Sequence, residues 1–187
     1  MDTTTRPDAH PATTAAAHDR DAARPLRAGV GTDIGLLVIR AAVGVVIGAH
    51  GLQKAFGWFG GSGIDGFAGA LGDMGFTRGT TFLAWVTALS EVGGGLLIVL
   101  GLLTPLGAAA VLGVALNIVY VERNAAFIGG WELPALFGAV ALGLLFSGPG
   151  RIAVDAVAPW SRRPLPWGLA GLALALVTSA VVLLAFR

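Results

Sequence analysis

The chain contains no cysteine and little charge: Asp, Glu, Lys and Arg together make up 12% of its 187 residues. Without cysteine it has no disulfide, no thiolate metal site and no thiol redox relay of its own. The scarcity of charge excludes an ordinary water-soluble globule, in which about a quarter of residues are charged. A net charge of +1 and a pI near 8.4 give no basis for nucleic-acid binding. What is abundant is apolar: 55% hydrophobic residues, 29 glycines and a mean hydropathy of +0.78. The glycines follow no period of three, which excludes collagen. Length and composition together select a handful of membrane spans.

Residues 1–33 differ from the rest. They hold Arg6, Arg20, Arg24 and Arg27, five Asp, two His and three Pro, with no large apolar cluster. Such a segment buries too little surface to offset its ordering entropy, so a disordered polar tail is expected. It does not read as a signal peptide, because the apolar run begins only at Ile34 and no small-residue cleavage site follows it.

Five apolar stretches follow: Ile34–Gln53, Phe82–Leu103, Pro105–Val121, Leu133–Ser147 and Trp167–Phe186. About 20 helical residues at 1.5 Å each cross a hydrocarbon core of roughly 30 Å. The third and fourth stretches are short, and Tyr120 and Trp131 complete them as interfacial anchors. Lipid admits only helices and closed barrels, and continuous apolar runs without alternation select helices. The expected fold is an all-α polytopic membrane protein. Residues 34–157 hold the first four spans, and residues 158–187 a linker and a fifth. Between Lys54 and Thr81, the positions Ile64, Phe67, Ala68, Leu71 and Met74 recur at helical spacing and predict a short interfacial helix over 63–75.

Cationic residues orient the chain. Arg6, Arg20, Arg24, Arg27, Arg151, Arg162 and Arg163 fall on the side of the N-terminus, against Lys54, Arg78, Arg123 and Arg187 on the other. The excess predicts a cytoplasmic N-terminus and an extracytoplasmic C-terminus in the plasma membrane.

Few ionisable residues lie within the spans, and each such charge costs roughly 2.5–3.5 kcal/mol near mid-bilayer on insertion scales. Measured by helical rise from the cytoplasmic edge, Arg40 lies about 9 Å deep, Glu91 about 16 Å and His50 about 24 Å. Glu91 is too deep to snorkel, and its expected partner is Arg40 or His50 on an antiparallel first helix. Gly44 and Gly48 form a GxxxG there, and Gly93, Gly94 and Gly95 follow Glu91. Small residues of this kind let backbones approach closely in lipid. Arg40 alternatively snorkels to the headgroups. More polar and aromatic groups gather toward the outer end: Lys54, Trp58, Glu132 and, deeper, Asn117. His50 and Glu91 are the candidate proton-handling residues, and Arg40, Lys54, Trp58, Asn117 and Glu132 the candidate ligand-binding ones. Such a cluster suits a neutral headgroup such as a quinone, which needs one or two hydrogen-bond partners in an apolar cleft. No metal site is expected, since one His with two Glu lacks helical ligand spacing. Gly61, Gly63 and Gly66 match the dinucleotide GxGxxG but follow a membrane helix and not a strand, so nucleotide binding is rejected.

These residues resemble a known family. The run from Arg40 through His50-Gly51-Leu52-Gln53-Lys54-Ala55-Phe56-Gly57-Trp58-Phe59-Gly60-Gly61 resembles the first-helix signature of the DoxX family. Glu91-Val92-Gly93-Gly94-Gly95 and Gly101-Leu102-Leu103-Thr104-Pro105 resemble its second helix and turn. Glu132 resembles the Glu that opens its fourth helix, and Gly148-Pro149-Gly150-Arg151 with Asp155 its closing motif. The resemblance implies a four-helix membrane bundle in which Arg40, His50, Lys54, Glu91 and Glu132 occupy recurrent polar positions. It also implies a membrane subunit of a quinone-linked oxidoreductase complex, with a partner subunit supplying electrons. The tail and the fifth span lie outside the family core. The absence of cysteine means that any thiosulfate or disulfide chemistry belongs to a partner chain. Relatives of the fold include assembly chaperones and cargo receptors, so a non-catalytic scaffold or assembly protein is the alternative. Self-association remains compatible with either reading. A transporter is disfavoured, because no two halves repeat and no span is broken.

Overall fold

The computed structural model describes residues 29–187, and most of the expected tail lies outside the described residues. Among the described residues every regular element is helical. Helix α1 spans Val30–Phe56, α2 Gly63–Asp73, α3 Thr80–Leu100, α4 Thr104–Glu122, α5 Glu132–Ser147 and α6 Pro164–Ala185. Five helical segments are long and apolar enough to cross a membrane: α1, α3, α4, α6, and α5 with the turn Phe127–Trp131 that precedes it. Hydropathy predicts the same five.

Helix α1 is longer than its apolar run. Its 27 residues begin at Val30, so Asp33, assigned from sequence to the tail, sits in its first turn and is buried. At 1.5 Å per residue it extends about 40 Å, more than a hydrocarbon core of roughly 30 Å. It stops at Gly57, whose φ of +71° suits glycine and whose N–H donates to the Gln53 carbonyl at 3.1 Å. The GxGxxG glycines belong to the turn that follows and to α2. A Cβ at Gly61 would lie 2.5 Å from the Gln53 carbonyl oxygen, so close packing accounts for that glycine without a nucleotide.

The helices are arranged so that α4 is central. Helix α1 packs on α3, α3 on α4, and α4 on both α5 and α6, whereas α1 and α5 touch only thinly. Ala108, Val111 and Leu112 of α4 are buried with Ile98, Ala141, Leu144 and Ala175 in the main core. Helix α6, outside the four-helix domain expected from sequence, lies against α4 and α5. Gly168 permits its close approach, since a Cβ there would stand 2.3 Å from the Leu145 carbonyl oxygen. Helix α2 is not merely laid on a surface. Its Ala68 and Leu71 are buried with Phe76, Leu83 and Ala84, beneath the end of the bundle where α1 finishes.

The α1–α3 seam is set by glycine, though not by the expected GxxxG. A Cβ at Gly44 would meet the Gly95 carbonyl oxygen at 2.6 Å, and one at Gly51 would meet the Ala88 carbonyl oxygen at 2.8 Å. A Cβ at Gly48 would meet nothing within 4 Å. The seven-residue spacing of Gly44 and Gly51 keeps both on one stripe of α1. Of the three glycines on α3, Gly95 faces α1 and Gly94 faces α4.

Candidate functional site

Glu91 is the least exposed acid among the described residues, at 2%, and its partner follows from the helix register. Gly51 lies against Ala88 and Val92, which flank Glu91 on α3. Lys54, nearly one turn beyond Gly51 on the same helix, therefore faces the carboxylate. Its Nζ donates to Glu91 Oε1 at 2.7 Å and Oε2 at 2.6 Å. The side chains are 18% and 3% exposed, respectively. Two charges withdrawn from water cost several kcal/mol each, which their attraction offsets only with close geometry and further hydrogen bonds. Lys54 also lies over the Phe67 ring, 5.4 Å from its centroid, so α2 supplies one wall of the ammonium's surroundings.

Two cavities meet at Lys54. One, of about 80 Å³, is bounded by His50, Lys54, Glu91, Val114, Ile118 and Phe137 among others. His50 meets Phe137 edge-on, with ring centroids 6.0 Å apart. The other, of about 210 Å³, lies between α2, α3, α4 and α6 and is lined by Lys54, Phe67, Thr87, Asn117 and Val182 among others. A third space of about 240 Å³ shares Thr87, Asn117 and Val182 with it and runs between α3 and α6 over Ala109, Ala110 and Gly113. Lining side chains are mainly apolar, and polar atoms are few and convergent, as binding sites for small neutral ligands require. Asn117 is fixed from outside the four-helix domain: its Oδ1 accepts a hydrogen bond from Ser179 Oγ of α6 at 2.6 Å.

The chain is similar to known proteins over 66% of its length. The DoxX family model matches residues 35–124, from within α1 to just past the end of α4. A protein of Bacillus subtilis (strain 168) named "Putative oxidoreductase CatD" is 30% identical over 124 residues, 66% of this chain and 86% of that protein. The chain belongs to the DoxX family. No solved structure matches it. As a DoxX protein with five membrane-length helices, it is a multi-pass membrane protein. The DoxX match contains Arg40, His50, Lys54, Glu91 and Asn117, whereas Glu132 and Ser179 lie beyond it.

Arg40 does not join this site. Gly44 faces Gly95 and Val99, so Arg40, one turn earlier, comes level with the end of α3 and not with Glu91. The depth ruler drawn from the edges of the apolar runs places Glu91 about one and a half helical turns, some 8 Å, too close to Arg40. The guanidinium is spent on four carbonyls. Nε donates to Ile98 O at 2.9 Å and Nη2 to Val99 O at 2.9 Å, while Nη1 donates to Pro149 O at 2.6 Å and Ile152 O at 2.9 Å. It neither snorkels nor pairs with Glu91; at 1% exposure, it caps the negative end of α3 and ties down the loop after α5. Gly101 makes room for it, since a Cβ there would stand 2.6 Å from Nη2.

The same joint holds acids that charge counting within the apolar runs passes over. Asp155 Oδ2 accepts from Thr104 N–H at 2.9 Å and Trp160 Nε1–H at 2.7 Å, which satisfies the positive end of α4. Asp33 accepts from Arg151 N–H at 2.9 Å and Arg151 Nε at 2.6 Å. Glu132 and Trp58, expected at the ligand site, are not part of it. Glu132 accepts the N–H groups of Gly129 and Gly130, each at 2.9 Å, and so ties the turn ahead of α5 to that helix. Trp58 is 56% exposed beside Phe56 and Phe59. Among the described residues no three His, Asp or Glu side chains gather as a metal site requires.

Proposed function

We propose that this DoxX protein is the membrane-embedded subunit of a quinone-linked oxidoreductase complex in the plasma membrane. The observation that carries the reading is the Lys54–Glu91 ion pair of the membrane domain, its acid buried and its half-buried lysine lining two cavities. A pair needed only for packing would be enclosed by close-packed side chains. This pair instead presents an ammonium to about 210 Å³ of apolar space, where one charge-assisted hydrogen bond orients a neutral carbonyl headgroup. The name of the Bacillus subtilis relative, an oxidoreductase, points the same way.

The residues suit a quinone. Lys54 donates, Glu91 accepts, and His50 borders the smaller cavity with both, so a proton moving to or from a bound oxygen has adjacent acceptors in the chain. A bound quinone would supply the electron-accepting chemistry. The cysteine-free chain contributes no thiol, so sulfur chemistry, if any, lies in a partner subunit. The excess of Lys and Arg on the side of the N-terminus supports a cytoplasmic N-terminus. The Lys54–Glu91 site then opens nearer the extracytoplasmic side.

The test is binding by the purified full chain in detergent, with decyl-benzoquinone as probe and isothermal titration as readout. Wild type is expected to bind, and Lys54→Met to bind about tenfold more weakly, the loss of one charged hydrogen bond. Equal affinity in the two proteins, or no binding to wild type, overturns the quinone reading and leaves the scaffold reading, in which the ion pair serves assembly alone.

A further inference from the structure

The fifth span has no charged residue, lies outside the family match, and yet carries one polar contact into the bundle. That contact determines how Asn117 is oriented. Ser179 Oγ–H donates to Asn117 Oδ1 at 2.6 Å, which leaves the N–H2 group on the other branch of the planar amide. This N–H2 group makes no hydrogen bond among the described residues. The only fully buried polar side-chain atom without a partner there is Ser161 Oγ, so the Asn117 N–H2 is open and not sealed in the core. It belongs to a residue that lines both the Lys54 cavity and the cleft between α3 and α6.

Two hydroxyls beside it are equally unspent. Thr87 lines both spaces and Ser90 lines the cleft, and neither hydroxyl bonds to its own helix among the described residues. Thr178, across the cleft, does: its Oγ1 donates to Leu174 O at 2.8 Å. At bilayer depth an unsatisfied donor is costly, so hydroxyls in spans ordinarily bond back to their own helix. Three uncommitted polar groups around one apolar space therefore call for an occupant with oxygen acceptors.

We propose that α6 completes the ligand site, with Ser179 as a positioning residue that holds the Asn117 amide so that its N–H2 group donates to a second oxygen of a bound carbonyl compound, across the cavity from Lys54. This deepens the reading of that cavity as a quinone site and rests on it. It gives the fifth span a role in recognition as well as packing.

The experiment uses the full chain in detergent and the same decyl-benzoquinone titration, with an unfolding midpoint recorded for every variant. Asn117→Leu is expected to weaken binding about fivefold, as the loss of one neutral hydrogen bond does. Ser179→Ala should weaken it roughly twofold, because the freed amide samples other rotamers. The decisive variant combines the two. If Ser179 acts through Asn117, the double variant binds no more weakly than Asn117→Leu alone. Additive losses, or wild-type affinity in Asn117→Leu at an unchanged unfolding midpoint, overturn the proposal. Wild-type affinity in both single variants together with weakened binding by Lys54→Met overturns this inference alone. Absence of probe binding by wild type overturns the quinone reading beneath it.

Discussion

At the Val30 end of the bundle Arg40 spends its guanidinium on four backbone carbonyls, and Asp155 spends its carboxylate on Thr104 and Trp160. At the Phe56 end Lys54 and Glu91 bond to each other, with His50 beside them and open space on both sides. Both ends place charge where lipid makes it costly. The difference lies in what remains uncommitted. A group whose hydrogen bonds all end on the chain's own backbone can hold helices together but has nothing to offer a ligand. A charged pair bordering a cavity can exchange a bond with an occupant. Within one protein the polar residues of a membrane family thus divide into a joint and a site.

The comparison is most easily broken at Arg40. Arg40→Met would leave the carbonyls of Ile98, Val99, Pro149 and Ile152 without their donor. A buried charged network that loses its central member costs about 3–5 kcal/mol. The expected outcome is a large drop in the unfolding midpoint in detergent, or failure to accumulate in membranes. A variant that keeps the wild-type midpoint and loses quinone binding would move Arg40 from the joint to the site and dissolve the distinction.

Glu91→Gln comes next. It keeps an oxygen acceptor for Lys54 and removes the charge, and the lysine already has 18% of its side chain exposed. With solvent within reach of the ammonium, the expected stability loss is about 1–2 kcal/mol, below that of Arg40→Met. Loss of affinity for decyl-benzoquinone should exceed what the change in midpoint accounts for. A midpoint shift as large as that of Arg40→Met would show that both ends of the bundle are structural joints.

The spans were legible from the sequence because hydropathy is a local property, and so was Glu91 as a residue requiring a partner. The partner itself was not legible. Helix α1 begins at Val30, where the apolar run does not, and α1 and α3 meet through Gly44 and Gly51. Together these shift the register by about one and a half turns from the one read off the run edges. That shift takes Glu91 from Arg40 to Lys54. Arg40 was misread for a second reason: its partners are carbonyls, which leave no side-chain signature to match against a charge. Ser179 was invisible because a lone serine in an apolar helix acquires meaning only when packing sets Asn117 opposite it. The Gly44–Gly51 spacing is present in the sequence, but GxxxG points to Gly48, whose backbone borders Gly95 while a Cβ on it would meet nothing within 4 Å.

The smallest effect is expected at Glu132, and it marks where the site stops. The resemblance placed this acid with Glu91, and both stand near the same end of the bundle. Yet its two oxygens already accept the N–H groups of Gly129 and Gly130, each at 2.9 Å, and it lines none of the cavities described above. Glu132→Gln retains one acceptor for that turn. Its unfolding midpoint should stay close to wild type, above that of Glu91→Gln, and its affinity for decyl-benzoquinone should be unchanged. Weakened binding at an unchanged midpoint would extend the site along α5, from Phe137, which already borders the smaller cavity, to the acid at the helix start. The boundary between the parts of the molecule that hold it together and the parts that bind would then run along α5 and not between the two ends.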